Sequence, residues 1–95
     1  MFVVSLNYKV PLAEIDRLAP AHVEWLKACY VEGIFVASGP KNPRTGGVII
    51  ARGPRELLDA RLAADPFAKA DAADYDVTEF TARMTAAGLD AFNEA

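Results

Sequence analysis

Residues 34–52 read Ile-Phe-Val-Ala-Ser-Gly-Pro-Lys-Asn-Pro-Arg-Thr-Gly-Gly-Val-Ile-Ile-Ala-Arg, and this stretch decides the fold. Two apolar runs, Ile34–Ser38 and Gly47–Arg52, have the composition of β-strands. The segment between them is rich in glycine and proline, which is typical of a loop. So short a connection joins antiparallel strands, so the stretch predicts a β-hairpin.

A helical pattern lies on each side of this hairpin. From Leu12 to about Glu32, apolar residues recur at steps of three and four, as a buried helical face requires. Pro20 is expected to begin a second helical piece within this segment, because proline is tolerated in a first turn. Gly33 is expected to end the helix. After the hairpin, Pro54–Ala64 predicts a second helix with a leucine stripe.

Two further strands complete the pattern. Apolar and polar residues alternate from Phe2 to Lys9, and a weaker alternation runs from Asp74 to about Arg83. Residues 89–94 are expected to form a short final helix. The order βαββαβ predicts an α+β, ferredoxin-like fold with an antiparallel sheet, in one domain spanning residues 1–95.

Composition points to a partner subunit. The chain has 95 residues and is 53% hydrophobic, which is rich for a domain with so little interior. No apolar run reaches the ~20 residues of a transmembrane helix, and the N-terminal residues resemble a strand rather than a signal peptide. Both helices must cover the same face of the sheet, which leaves the other face open. We therefore expect a homodimer that pairs through this sheet face.

Charge and residue usage exclude several classes of function. The net charge is −3 and the basic residues are scattered, which argues against nucleic-acid binding. The only cysteine, Cys29, cannot form an intramolecular disulfide and fits a cytoplasmic protein. With one cysteine and one histidine, a structural zinc site within the chain is not expected. Nothing in the sequence calls for a metal or an organic cofactor.

His22 is the first candidate for chemistry. It lies four residues from both Leu18 and Leu26, so it shares the apolar face of the first helix and points towards the sheet. A histidine in this position is either a buried group satisfied by hydrogen bonds or a general acid or base. The helix pattern by itself favours the first reading.

Asp65 and the Ser38-Gly39-Pro40 step are the other candidates. Asp65 follows the second helix, and a carboxylate is poorly placed near a helix C-terminus unless a partner such as a histidine stabilises it. Asp65 would otherwise only order the following turn. Ser38 offers a hydroxyl, and Gly39 permits close approach of a ligand to the backbone, although simple turn chemistry also explains these residues.

Taken together, these pieces resemble the YciI-like proteins, the YCII-related domain family. The resemblance spans nearly the whole chain and rests on the order and spacing of the pieces, since each piece by itself is weak. The matching residues are Arg17 and His22 in the pattern Arg-x4-His, Leu26, Gly33, Ala37-Ser38-Gly39-Pro40, Gly47 and Asp65-Pro66-Phe67. The chain departs from the family pattern at Ala68–Ala73, where a glycine-containing turn is usual.

The resemblance implies a ferredoxin-like fold in a dimer of the α/β-barrel type. It implies a histidine–aspartate pair in a pocket, at His22 and Asp65, with Ser38, Gly39 and Pro40 beside it as substrate-binding residues. Some relatives are dehydrochlorinases of chlorinated, hydroxylated aromatics, and the fold is similar to that of muconolactone isomerase. Most members have no assigned reaction.

Three functions stay open at this point. The first is a lyase or isomerase that uses His22 and Asp65 for acid–base chemistry on a small hydroxylated cyclic or aromatic substrate. The second is a non-catalytic dimeric module that binds a metabolite or has a regulatory role. The third is a structural dimer in which His22 is a buried, satisfied side chain.

Overall fold

The protein is described by a computed structural model, which covers residues 1–94. Its centre is one antiparallel sheet with the strand order β2-β3-β1-β4. The strands are β1 (Phe2–Tyr8), β2 (Phe35–Pro40), β3 (Gly46–Ala51) and β4 (Ala73–Glu79). This topology confirms the predicted α+β, ferredoxin-like sheet.

The helices pack on one face of that sheet. They are α1 (Leu12–Val31), α2 (Arg55–Ala63) and the short α3 (Pro66–Lys69), with a 3₁₀ turn at Asp90–Phe92. Alternate residues of β1 face these helices. The core joins the β1 residues Phe2, Val4 and Leu6 to Ile15 and Cys29 of α1 and to Leu58 and Leu62 of α2. Burial of this apolar surface is the main term that holds the layers together.

The expected break at Pro20 does not occur, since α1 is continuous through it. Pro20 lies on the exposed side of α1, where the missing backbone hydrogen bond is replaced by contact with solvent. Buried residues on either side of it, Ile15 and Cys29, hold the helix against the sheet. Packing of the buried face therefore outweighs the local cost of the proline.

The end of α1 agrees with the sequence. Gly33 adopts a positive φ of 80°, a conformation that glycine tolerates best. Its N–H donates to the carbonyl of Tyr30, and the N–H of Ile34 donates to the carbonyl of Cys29. This pair of bonds is a Schellman motif, and it sets the direction in which the chain enters β2.

The hairpin differs from the prediction at its tip. Gly39 and Pro40 extend β2 beyond the predicted end at Ser38, because Gly39 pairs with Val48 and Pro40 pairs with Gly47. Pro40 is tolerated because β2 is an edge strand, where a backbone donor can be spared. The connection is therefore only residues 41–45.

The last strand is shorter than expected. β4 ends at Glu79, which pairs with Phe2, instead of at Arg83, and one further backbone bond follows, from the N–H of Phe80 to the carbonyl of Met1 at 2.9 Å. The turn before β4, where the family glycine is absent, is made by Asp71 at φ 51°. Aspartate is one of the few residues that visit this conformation readily, and its carboxylate contacts Lys9.

The outer face of the sheet carries apolar residues from the central strands. Val3 pairs with Ile50 and Ser5 with Val48, and these side chains are partly exposed. The segment after β4 returns over one end of this face, where Phe80, Leu89 and Phe92 line an apolar cavity with Val36 and Ile50. Within residues 1–94, no helix is long and apolar enough to span a membrane.

Candidate active site

His22 and Asp65 are 43 positions apart in the sequence and adjacent in the fold. Nδ1 of His22 lies 2.8 Å from Oδ1 of Asp65. The Asp65 side chain is completely buried, whereas 14% of the His22 side chain is exposed. The imidazole therefore lies between a buried carboxylate and a solvent-accessible space.

Two further groups hold the Asp65 carboxylate. The backbone N–H of Phe67 donates to Oδ1 at 3.0 Å, and the hydroxyl of Tyr75 donates to Oδ2 at 2.5 Å. Burial and this bond to Asp65 raise the pKa of the Tyr75 hydroxyl, so it stays a donor. Since the carboxylate accepts these bonds, Nδ1 of His22 is the donor to Asp65, and in the neutral form of the ring Nε2 then carries the lone pair.

The structure corrects the argument that Asp65 is badly placed beside a helix C-terminus. Asp65 follows the end of α2, but it is also the N-cap residue of α3, where a carboxylate is favoured. The bond from Phe67 N–H is the capping interaction itself. Asp65 therefore has a structural reason to be present in addition to its contact with His22.

Aromatic rings fix the plane of the imidazole. His22 stacks on Phe67 with ring centres 3.9 Å apart and an interplanar angle of 9°. The ring centre of Trp25, also on α1, lies 5.4 Å from that of His22. The indole N–H of Trp25 donates to the carbonyl of Arg61 at 2.9 Å. Tyr8 also contacts Phe67, with the two rings edge-on and their centres 5.9 Å apart. The ring of His22 can hardly turn without displacing one of these neighbours.

A cavity of about 260 Å³ opens beside His22, between α1 and the β2–β3 hairpin. Ser38, Gly39 and Pro40 lie along its edge, together with Arg44 from the loop. Apolar residues make most of the remaining lining: Leu6, Ile15, Ala19, Val23, Leu26, Val48, Ile49 and Phe67. Asp65 does not line the cavity and lies behind the imidazole.

Ser38 has a partner inside the protein. Its hydroxyl oxygen lies 2.8 Å from the hydroxyl oxygen of Tyr30, which is exposed on α1. Hydroxyl groups both donate and accept, so Ser38 can keep this bond and still bind a ligand oxygen. Tyr30 thereby connects the edge strand to α1 at the rim of the cavity.

Tyr75 and Arg44 were not predicted from the sequence as site residues. Alternation along β4 places Tyr75 on the inner face opposite Leu6, which was a usable signal, but nothing in the pattern pointed to Asp65 as its partner. Arg44 lies in the irregular loop, where no periodicity predicts a direction. Cys29 is a packing residue, because burial raises the pKa of its thiol to about 11 and keeps it protonated.

Comparison with known proteins identifies the family of the chain. The sequence model of the YCII-related domain matches residues 1–81. The chain belongs to the YCII-related domain family. The expected family is thereby confirmed, and no curated protein matches the chain in sequence.

A solved structure with a similar fold is the 5-chloro-2-hydroxyhydroquinone dehydrochlorinase of Burkholderia phenoliruptrix AC1100, in complex with 2,5-dihydroxybenzoquinone. The two chains are 20% identical, with a TM-score of 0.65 over 85% of this chain and 94% of that chain. At this identity the likeness establishes the shared fold.

Proposed function

We propose that this YCII-related protein is an acid–base enzyme of the lyase or isomerase kind, acting on a small hydroxylated cyclic or aromatic compound. The observation that carries the proposal is the contact between Nδ1 of His22 and the buried carboxylate of Asp65, at the wall of a cavity. A histidine fixed in this way presents the lone pair of Nε2 as a base.

Asp65 would act on His22 in two ways. It holds the tautomer with hydrogen on Nδ1, and its negative charge stabilises the imidazolium that forms when Nε2 takes a proton. Phe67 and Tyr75 keep the carboxylate in place through their hydrogen bonds. In this scheme His22 is the catalytic residue, and Asp65 is the residue that orients and supports it.

The shape of the cavity suits one substituted ring. Its volume of about 260 Å³ lies near the lower end of the ~300–1000 Å³ common for small-molecule sites. Apolar walls would cover the faces of a ring, and Ser38 with the backbone at Gly39 and Pro40 would bind its oxygen substituents. The family and the dehydrochlorinase with a similar fold support hydroxylated ring compounds as the first substrates to test.

The experiment is an assay in which NMR detects the products formed from chlorinated hydroxyhydroquinones and hydroxylated lactones. His22→Gln should lower turnover by roughly 10²–10⁴-fold, the usual contribution of a general acid or base. Lys27→Gln, an exposed change on the same helix, is the matched control and should retain the wild-type rate. Equal turnover by His22→Gln and wild type would show that His22 transfers no proton.

We also propose that the protein forms a homodimer through the outer face of the sheet. Val3, Val48 and Ile50 present apolar surface there, and burying it against a second copy would stabilise both subunits. Sedimentation should give the mass of a dimer for wild type. Val3→Glu, which places a charge on this face away from the His22 cavity, should shift the protein towards the monomer, whereas a monomeric wild type would contradict the proposal.

A further inference from the structure

One permanently charged side chain lines the cavity, and its charge affects which ligands the cavity can bind. Arg44 lies in the loop between β2 and β3 and lines the cavity opened by His22. Within the described residues, none of those that line the cavity is acidic. The Asp65 carboxylate lies behind the imidazole and faces Phe67 and Tyr75 instead.

From this arrangement we infer that the cavity selects a ligand that carries a negative charge on its ring, a carboxylate or an acidic hydroxyl, which Arg44 binds. This inference rests on the proposed function, because it names the class of substrate for the same site. The Arg44 side chain is 42% exposed and paired with Asp16, and the remaining N–H groups of its guanidinium can bind an anionic oxygen by charge-assisted hydrogen bonds. The whole chain is net negative, so the preference is local to this loop.

Arg44 is already oriented before a ligand arrives. Its Nη2 donates to Oδ1 of Asp16 on α1 at 2.6 Å, which ties the loop to the helix across the cavity. The guanidinium carries several N–H donors in a rigid plane, so this one contact leaves donors for a ligand oxygen. An arginine held in one geometry loses less entropy on binding than a free surface side chain.

The loop that carries Arg44 is itself held closely against β1. The N–H of Tyr8 donates to the carbonyl of Thr45 at 3.0 Å. Gly46 passes so close to β1 that a Cβ atom there would lie 1.7 Å from the carbonyl oxygen of Leu6. These contacts hold the backbone next to Arg44 against β1 and thereby fix its position relative to the cavity.

The test compares two ligands of nearly equal shape, 3-hydroxybenzoate and its neutral analogue 3-hydroxybenzamide, by isothermal titration calorimetry. Wild type should bind the acid about tenfold or more tightly than the amide, as a charge-assisted hydrogen bond permits. Arg44→Gln should abolish this preference, because it weakens binding of the acid more than binding of the amide. Arg55→Gln, an exposed arginine that is paired with Asp59 outside the cavity, should retain it.

Two further variants separate the possible causes. Asp16→Asn removes the tether but leaves the cation, so preference for the acid should persist or increase. His22→Gln should also keep the preference, since Arg44 supplies the charge. Three results would each overturn the inference. They are equal affinities for acid and amide in wild type, no measurable binding of the acid at about 10 mM, and a preference that survives Arg44→Gln. A preference lost in His22→Gln and kept in Arg44→Gln would overturn it while leaving the proposed acid–base function intact.

Discussion

Replacing Tyr75 with phenylalanine removes one hydroxyl group from the buried end of the His22–Asp65 pair. That hydroxyl donates to Oδ2 of Asp65 at 2.5 Å, and the Asp65 side chain has no exposure to solvent. No water can replace the lost donor without entering the core, so the carboxylate is left with fewer partners. A hydrogen bond to a charged group contributes about 1.5–3 kcal/mol, and we expect a loss of about 2 kcal/mol in the free energy of unfolding.

Urea denaturation followed by the fluorescence of Trp25, the only tryptophan, measures this loss. Tyr30→Phe is the matched control, because it also removes a tyrosine hydroxyl that bonds to a side chain, here Ser38, but at the exposed rim. Its cost should stay below about 0.5 kcal/mol, as for most surface changes. Equal losses in the two variants would show that the Tyr75 hydroxyl does not support the carboxylate.

Other consequences follow from packing and burial. Gly46→Ala should lower the free energy of unfolding by about 1–3 kcal/mol or more, because the new Cβ would collide with the backbone of Leu6. Gly39→Ala should cost far less, because the space around Gly39 is open. Thermal denaturation of the two variants compares these losses. Since burial raises the pKa of the Cys29 thiol to about 11, iodoacetamide near pH 8 should alkylate it only after unfolding, as mass spectrometry would show. The folded state should also lose stability as the pH rises from the ordinary thiol pKa towards 11, because only the unfolded chain can then ionise Cys29.

The fold was largely predictable because its signals are periodic. Alternation along Phe2–Tyr8 and helical spacing from Leu12 specify which face of each element is buried, and the order of elements then leaves one simple topology. The errors lie where tertiary contacts override local preference. Packing of Ile15 and Cys29 keeps α1 continuous through Pro20.

The site was predictable only in part. His22 could be selected because a lone polar residue on an apolar helical face is unusual, and the family resemblance then pointed to Asp65. Tyr75 and Arg44 could not be selected, because their roles depend on distances between elements far apart in the chain. The corrected position of Asp65, at the start of α3, shows how a short helix unseen in the sequence changes an electrostatic argument.

The tautomer of His22 tests the central claim most directly. It is the only histidine, so ¹⁵N NMR of its ring is unambiguous. The account predicts that the neutral ring carries hydrogen on Nδ1 and a lone pair on Nε2, and that Asp65→Asn changes the Nδ1 signal. Hydrogen on Nε2, or an Nδ1 signal that ignores Asp65→Asn, would contradict the claim that Asp65 prepares His22 to accept a proton from a ligand in the cavity.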